Sequence, residues 1–154
     1  MKFFNQHKQV SLIIEETLLK KISQIGIEKY PYETGGFLVG YYSDDSMTLY
    51  ITDYLLPHKQ KGMAYLFERS IDGMKQVFKN LFDRQKHFYI GEWHTHPNGS
   101  CMYSSTDLNA MIEIANCETV NITNPVLLIL SITEKQVKDF TFSIYNNKGL
   151  HPYE

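Results

Sequence analysis

The sequence has few of the features that mark specialised classes of protein. Its 154 residues include only two cysteines, Cys101 and Cys117, which are too few for a disulfide framework. The formal net charge is -2, so no excess of positive charge favours nucleic acid or an anionic membrane as the main partner. No segment approaches the roughly 18 apolar residues of a membrane span, and the first residues lack the apolar core of a secretion signal. These absences predict a cytoplasmic protein that binds neither nucleic acid nor membrane.

What the chain does have is the composition of a globular domain. Hydrophobic residues make up 43% and charged residues 21% of the sequence, which is typical of folded rather than disordered chains. A chain of this length buries roughly two thirds of its unfolded surface. The sequence contains no repeats, low-complexity runs or linkers rich in Pro, Gly or Ser, so residues 1–154 are predicted to form one domain.

Hydrophobic periodicity predicts helices that interrupt a set of strands. Apolar residues recur at helical spacing over 15–29, 72–84 and 104–117, and Pro31 prevents the first helix from continuing. A polar turn at 43–46 between two apolar runs predicts a hairpin. The predicted strands cover 9–14, 35–42, 47–56, 65–68, 88–94, 126–131 and 138–145. Together these elements predict an α/β fold in which helices pack on a mixed sheet.

The most informative segment is the tetrapeptide HTHP at 94–97. Side chains two residues apart on a strand project from the same face, so His94 and His96 aim at one point if the strand lasts through His96. Pro97 disfavours helical conformation at the residue before it, which keeps His96 extended. Two imidazoles and a nearby carboxylate can supply the three protein ligands of a catalytic zinc site, with a fourth position left for water.

A candidate carboxylate lies at the start of the following helix. The apolar stripe of that helix includes Leu108 and Met111, and counting back by three and four residues places Ser104 and Asp107 on the same side. A carboxylate facing the core is costly unless it is paired or binds a cation. An N-cap at Ser104 with an acid three residues later explains the same two residues without a metal, but it does not explain the two histidines upstream.

These residues closely resemble the JAMM metalloprotease family, also called the JAB/MPN family. The signature of that family is an upstream glutamate, then His-Ser/Thr-His-Pro, six residues, Ser, two residues and Asp. Residues 94–107 (HTHPNGSCMYSSTD) match this spacing without departure, and residues 33–40 (ETGGFLVG) are similar to the family's Glu-x-Gly-Gly-x-Leu-x-Gly strand. The resemblance spans most of the chain and implies a cytidine-deaminase-like α/β fold.

The resemblance also implies a role for each matching residue. His94, His96 and Asp107 would hold Zn2+, Glu33 would act as general acid and base, and Ser104 would donate a hydrogen bond to the oxyanion of the tetrahedral intermediate. Each role is chemically sound, because zinc acidifies a bound water, a carboxylate can move its proton to the leaving amine, and a hydroxyl can stabilise developing negative charge. Taken alone, Glu33 reads as an ordinary exposed acid in a loop.

The implied activity is a zinc-dependent isopeptidase or peptidase that cuts after the tail of a ubiquitin-like protein. The segment 91–97 (GEWHTHP) looks especially like bacterial JAB proteins that accompany E1- and E2-like enzymes in antiphage operons and mobile elements. Such enzymes would then be partners. Alternatives are a phage-tail or cell-wall peptidase and a zinc-containing module that binds a ubiquitin-like protein without cutting it. A RadC-like protein is a further rival, although RadC proteins usually carry Asn where Thr95 stands.

Two loops are expected to modify such a site. Cys101 lies between the candidate ligands, where a thiolate could displace the water as an inhibitory zinc ligand, although an ordinary loop thiol is the simpler interpretation. Residues 57–65 and 98–103 are expected to shape the substrate groove.

Overall fold

One mixed sheet organises residues 1–57, 66–118 and 120–154, which are the residues that this computed structural model describes. The strands are β1 (Lys2–Asn5), β2 (Val10–Ile14), β3 (Gly35–Tyr42), β4 (Thr48–Leu55), β5 (Phe88–Pro97), β6 (Val126–Ile132), β7 (Val137–Asn146) and β8 (Gly149–Pro152). The helices in these ranges are α1 (Glu16–Lys29), α2 (Leu66–Gln85) and α3 (Ser105–Asn116). The predicted α/β class, with helices flanking a mixed sheet, is confirmed.

The sheet order places the end of β5 beside the start of α3. The strands follow the order β1-β2-β4-β3-β5-β6-β7-β8, with β2–β4 and β5–β6 parallel and the remaining neighbours antiparallel. Parallel neighbours need a long crossover because the chain must return to the same end of the sheet. Helix α3 lies in the crossover from β5 to β6, so its first turn follows directly after the His-x-His segment.

Apolar side chains cover both faces of the sheet and so define two packed layers. On one face, Leu18, Leu19 and Ile22 of α1 pack with strand residues such as Trp93. Full burial of each aliphatic side chain contributes about 1.5–3 kcal/mol. On the other face, α2 and α3 contribute residues such as Met111. Every residue of β6 is buried, as expected for a strand that is covered on both sides.

A β-bulge in β5 sets which of its side chains face α2 and α3. The pairing of β3 with β5 shifts between Leu38 and Val39, opposite Gly91, whose φ is 155°. A Cβ at Gly91 would lie 1.8 Å from the Val126 carbonyl oxygen, so this close approach requires glycine. The extra residue lets Tyr89 and Glu92, three positions apart, lie on the same side as His94 and His96. Trp93 lies on the α1 side.

Most predicted elements are observed, but three differences stand out. The strand predicted at 65–68 is wrong, because residues 66–68 open helix α2; Tyr65 lies outside the described residues. Four residues with mixed polarity carry too little periodicity to separate strand from helix. Strands β1 and β8 were not predicted, since they form only by pairing at the sheet edges, where Phe4 and Glu154 exchange backbone hydrogen bonds of 2.8 and 2.9 Å.

The helices of the described ranges include none that combines the length and the apolar character needed to cross a bilayer.

Candidate metal centre and active site

Strand β5 continues through Pro97, so the two histidines project from one face as the spacing predicted. Their Nε2 atoms lie 3.0 Å apart. Pairing with β6 holds this end of the strand extended, with His94 opposite Ile129 and His96 opposite Ser131. His94 is buried and His96 is partly exposed at the mouth of the site.

The N-terminal turn of α3 brings Asp107 to the same point. Its Oδ1 lies 3.1 Å from His94 Nε2, and its Oδ2 lies 3.6 Å from His96 Nε2. The carboxylate is held from behind by the helix cap, because Oδ2 accepts hydrogen bonds from the Ser104 backbone N–H at 2.6 Å and from the Ser104 hydroxyl at 2.8 Å. The Asp107 carboxylate therefore takes part in both predicted arrangements. Its Oδ2 bonds the cap residue Ser104, and its Oδ1 approaches His94.

The three side chains fit a tetrahedral zinc ion. Ligand atoms from His94, His96 and Asp107 all lie within 4.8 Å of one another. Zinc bonds of 2.0–2.1 Å imply ligand-to-ligand edges of roughly 3.3 Å, and the three closest approaches here are 3.0, 3.1 and 3.6 Å. Two nitrogens and one oxygen also form the donor set that zinc accepts in catalytic sites.

The electrostatics of the cluster favour a bound cation. Burial by itself would raise the pKa of Asp107, but the neighbouring His94 and His96 imidazoles, whose Nε2 atoms lie 3.1 and 3.6 Å from its oxygens, outweigh it and hold that pKa well below its ordinary range. The Asp107 carboxylate, 3.6 Å from Nε2, is the largest influence on His96 and raises the pKa of its imidazole, while burial opposes the rise. The carboxylate is thus ionised at neutral pH and faces two imidazoles, as a metal ligand must.

Glu33 lies in the loop before β3 and is exposed to solvent. Its neighbour Thr34 is fixed against the residue between the two histidines: the Thr34 N–H donates to Thr95 Oγ at 3.0 Å, and the Thr95 N–H donates to the Thr34 carbonyl at 2.9 Å. Gly35 pairs with His94 in antiparallel register, and the Thr34–Thr95 bonds extend that register by one residue. The next residue on each side is then Glu33 opposite His96. The charge of Glu33 is close enough to contribute to the raised pKa of His96.

Ser104 is exposed and is not on the buried stripe of α3, which differs from the expectation from helical counting. It lies one residue before the helix and caps it, accepting a hydrogen bond from the Asp107 N–H at 3.2 Å. Residues before the first turn do not follow the helical period, which is why counting back failed. The structure nevertheless places the Ser104 hydroxyl directly beside the Asp107 carboxylate.

The Cys101 thiol is directed away from the cluster. Its Sγ lies 3.2 Å from Asp139 Oδ2 and accepts a hydrogen bond from the Thr141 hydroxyl at 3.1 Å, both on β7. The expectation of an inhibitory thiolate ligand therefore has no support in this geometry.

Of the two loops expected to shape the groove, residues 58–65 lie outside the described residues. The other presents Met102 and Tyr103 to solvent, with 72% and 41% of their surface exposed.

Two polar residues beside the cluster were not singled out as functional from sequence. Glu92 is 5% exposed, and its Oε1 has no hydrogen-bond partner among the residues that the structure describes. Burial raises its pKa to about 8, and nearby Tyr89 opposes the rise without meeting the geometry of a hydrogen bond. Ser131 is a lone hydroxyl in an otherwise apolar strand (VLLILSI), and that interruption was the available signal.

Comparison with known proteins agrees with this geometry. The family model of prokaryotic homologues of the JAB domain matches residues 15–145, which is most of the chain. The chain belongs to the prokaryotic JAB family. The family resemblance seen in the sequence is thereby confirmed.

Relatives of this JAB protein include one named CD-NTase/cGAS isopeptidase from Enterobacter hormaechei. It is 30% identical over 131 residues, which span 83% of this chain and 71% of the relative. The 26S proteasome regulatory subunit rpn11 of Schizosaccharomyces pombe is 28% identical over 102 residues, or 62% of this chain. That match spans 31% of the yeast subunit, so the JAB chain covers only part of it.

Solved structures share the fold of this JAB chain. A protein from Salinibacter ruber, determined in solution, has a TM-score of 0.60 at 20% identity and covers 92% of this chain and 87% of its own. A protein from Desulfitobacterium hafniense has a TM-score of 0.65 at 14% identity, covering 92% and 88%.

Proposed function

We propose that this JAB protein is a zinc-dependent isopeptidase that hydrolyses the amide bond after the C-terminal tail of a ubiquitin-like protein. The observation that carries the proposal is the convergence of His94, His96 and Asp107 at zinc-ligand spacing, with Glu33 opposite His96. The isopeptidase name of the 30% identical relative supports this choice among amide hydrolases.

The residues have distinct tasks in this reaction. A zinc ion held by His94, His96 and Asp107 would polarise the scissile carbonyl and acidify the attacking water. Glu33, exposed at the mouth of the site, is free to take the proton from that water and deliver it to the leaving amine. Its exposure allows the carboxylate to reach both atoms, whereas the Thr34–Thr95 hydrogen bonds hold its backbone in place.

Ser104 has two tasks in this proposal. In the structure its hydroxyl donates to Asp107 Oδ2 and so orients a metal ligand. Donation to the oxyanion of the substrate would require the hydroxyl to turn from that oxygen, after which the Ser104 backbone N–H still holds the carboxylate at 2.6 Å. Its substitution should therefore affect both metal affinity and the chemical step.

The substrate class follows from the same assignment. The partner is a ubiquitin-like protein or its conjugate, cut at the bond to a lysine side chain or a following peptide. We further place the protein with E1- and E2-like enzymes in a bacterial antiphage or mobile-element system, in which this activity would reverse conjugation.

The direct test is an assay on a ubiquitin-like protein joined through its tail to a lysine-containing reporter. Zinc-loaded wild type should cleave it, and Glu33→Gln should lower kcat about 10²- to 10⁴-fold, the usual contribution of general acid–base catalysis. Glu113→Gln is a matched control, because Glu113 is an exposed glutamate on α3 outside the site. Removal of zinc by a chelator should abolish cleavage, and added zinc should restore it.

Two results would contradict the proposal. Full activity of Glu33→Gln would remove the proton-shuttle role. Tight binding of the ubiquitin-like protein without cleavage, in both wild type and Glu33→Gln, would instead favour the zinc-containing binding module.

A further inference from the structure

We propose that Ser131 is a positioning residue for His96, acting through the loop of residues 98–101. The Ser131 hydroxyl fixes the centre of this loop. The Ser100 carbonyl then holds the His96 ring so that an unprotonated Nε2 faces His94 and Asp107. Because zinc binding belongs to the proposed function, this inference deepens that function, although the ring and loop geometry do not depend on it.

The first step is the hydrogen bond of the ring. His96 Nδ1 lies 2.8 Å from the Ser100 carbonyl oxygen. A carbonyl can only accept, so Nδ1 donates its proton, and in the neutral ring Nε2 carries the lone pair. Nε2 is the atom that lies 3.0 Å from His94 Nε2. The Ser100 carbonyl therefore selects the tautomer that a metal ligand needs.

The second step is the contact that places this carbonyl. Ser131 Oγ donates to the Gly99 carbonyl at 2.6 Å, one residue before Ser100. Other contacts also hold the loop: the Asn98 side chain bonds Tyr30 at 2.8 Å, the Gly99 N–H donates to the His96 carbonyl at 3.2 Å, and Cys101 bonds β7. Among these contacts, the Ser131 bond is the one that ties the Gly99 carbonyl to the neighbouring strand β6. Ser131 thus holds the centre of the loop, next to the carbonyl that bonds the ring.

The loop also lies too close to the ring to shift without consequence. A Cβ at Gly99 would lie 3.2 Å from His96 Cβ, so the loop backbone packs directly against the histidine. Asn98 adopts a φ of 56°, which turns the chain sharply back over β5. A small displacement of Gly99 would therefore lengthen the bond from Nδ1 to Ser100 and release the ring.

The identity of residue 131 agrees with this role. Ser131 is 4% exposed in a strand whose other residues are apolar. Burying a hydroxyl is unfavourable unless it is hydrogen-bonded. A small apolar residue would fill the same position of the strand, and the bond to Gly99 is what the hydroxyl adds.

The test uses the metal-free full chain, isotope-labelled at the histidine nitrogens and studied by NMR at a pH where the ring is neutral. Wild type should show a protonated Nδ1 and a bare Nε2 at His96. Ser131→Ala should give a mixture of tautomers and weaken zinc affinity about tenfold, the lower end for residues that support a ligand, because it acts through the loop. Ser131→Thr keeps the hydroxyl and should restore both readouts.

Ser143→Ala is the matched control, since Ser143 is 6% exposed on β7 and has no part in the loop contacts. The role of Ser131 is overturned if Ser131→Ala keeps the wild-type ring spectrum and a zinc Kd within about twofold of Ser143→Ala. Should Ser131→Ala fail to fold, Ser131→Cys, a weaker donor of similar size, is judged by the same two readouts. Wild type that binds no zinc would refute the proposed function, while the tautomer spectra would still decide the role of Ser131.

Discussion

The two faces of strand β5 differ sharply although they share one backbone. On the face toward α1, Trp93 and Thr95 are fully buried, and Trp93 packs in an apolar cluster. On the face toward α2 and α3, Glu92, His94 and His96 alternate with them, and with Tyr89 they carry every ionisable group of the strand. One face therefore supplies packing energy, and the other supplies charge and the proposed metal ligands.

The ten residues of β5 thus serve both as a rigid support and as part of the candidate active site. Thr95 links the two, because its hydroxyl and N–H fix Thr34 next to Glu33. The loop that carries Glu33, the proposed general acid and base, is thus held beside the proposed ligands by hydrogen bonds made on the packed side. If the contrast is correct, substitutions on the α1 face should change stability, and substitutions on the other face should change metal binding and activity.

The largest effect is expected from Asp107→Asn. Loss of the anionic ligand should weaken zinc binding by at least about 100-fold, beyond what changes to supporting residues cause, and should abolish cleavage. Asparagine keeps an oxygen that can serve the helix cap, so the fold should survive. Zinc titration and circular dichroism measure the two quantities, and Asp44→Asn in the exposed β3–β4 turn serves as control. Undiminished zinc affinity would break the site assignment.

Trp93→Ala should produce the largest loss of stability. Truncating a buried tryptophan costs about 3–5 kcal/mol through lost burial and the cavity that remains. Chemical denaturation of the metal-free protein measures it, with Trp93→Phe expected to lose less because a ring still fills part of the space. If His94→Ala destabilises the metal-free protein as much as Trp93→Ala does, the two faces do not divide these tasks.

Glu92→Gln should change how stability depends on pH. The folded-state pKa of Glu92 is raised by burial from 4.5 to about 8, so between these values the folded chain binds a proton that the unfolded chain releases. The free energy of unfolding should therefore fall as pH rises through this window, by up to about 1.4 kcal/mol per pH unit. Glutamine cannot ionise and should flatten the slope, whereas Glu113→Gln should not. An unchanged slope in Glu92→Gln would show that the carboxyl is not held neutral.

Cys101→Ser should have the smallest effect. The thiol bonds Asp139 and Thr141 rather than the ligand cluster, and a serine hydroxyl can make the same contacts. Zinc affinity should stay within about twofold of wild type, and stability within about 0.5 kcal/mol. A clear rise in activity, in this variant or on adding reductant to wild type, would revive the inhibitory-ligand hypothesis.

Much of the site could be predicted because its parts are locally encoded. The i, i+2 spacing of His94 and His96 determines a shared face as soon as the segment is a strand, and Pro97 supports that conformation. The Ser104–Asp107 spacing likewise encodes a helix cap. Helical counting misplaced Ser104 because a cap residue lies outside the repeating geometry. The edge strands β1 and β8 were missed because each is four residues long, too short for a clear hydrophobic period, although each pairs with a strand nearby in the sequence.

By itself, the sequence determined the class of fold and the strand that carries the two histidines, and it predicted zinc from the preference of their donor atoms. Only the tertiary structure decided that Asp107 approaches both histidines, that Thr34 bonds Thr95 across 61 residues, and that Ser131 supports the loop over His96. Spacing along a chain fixes the direction of side chains within one element. The distance between elements depends on the whole packed core and on single features such as the bulge at Gly91.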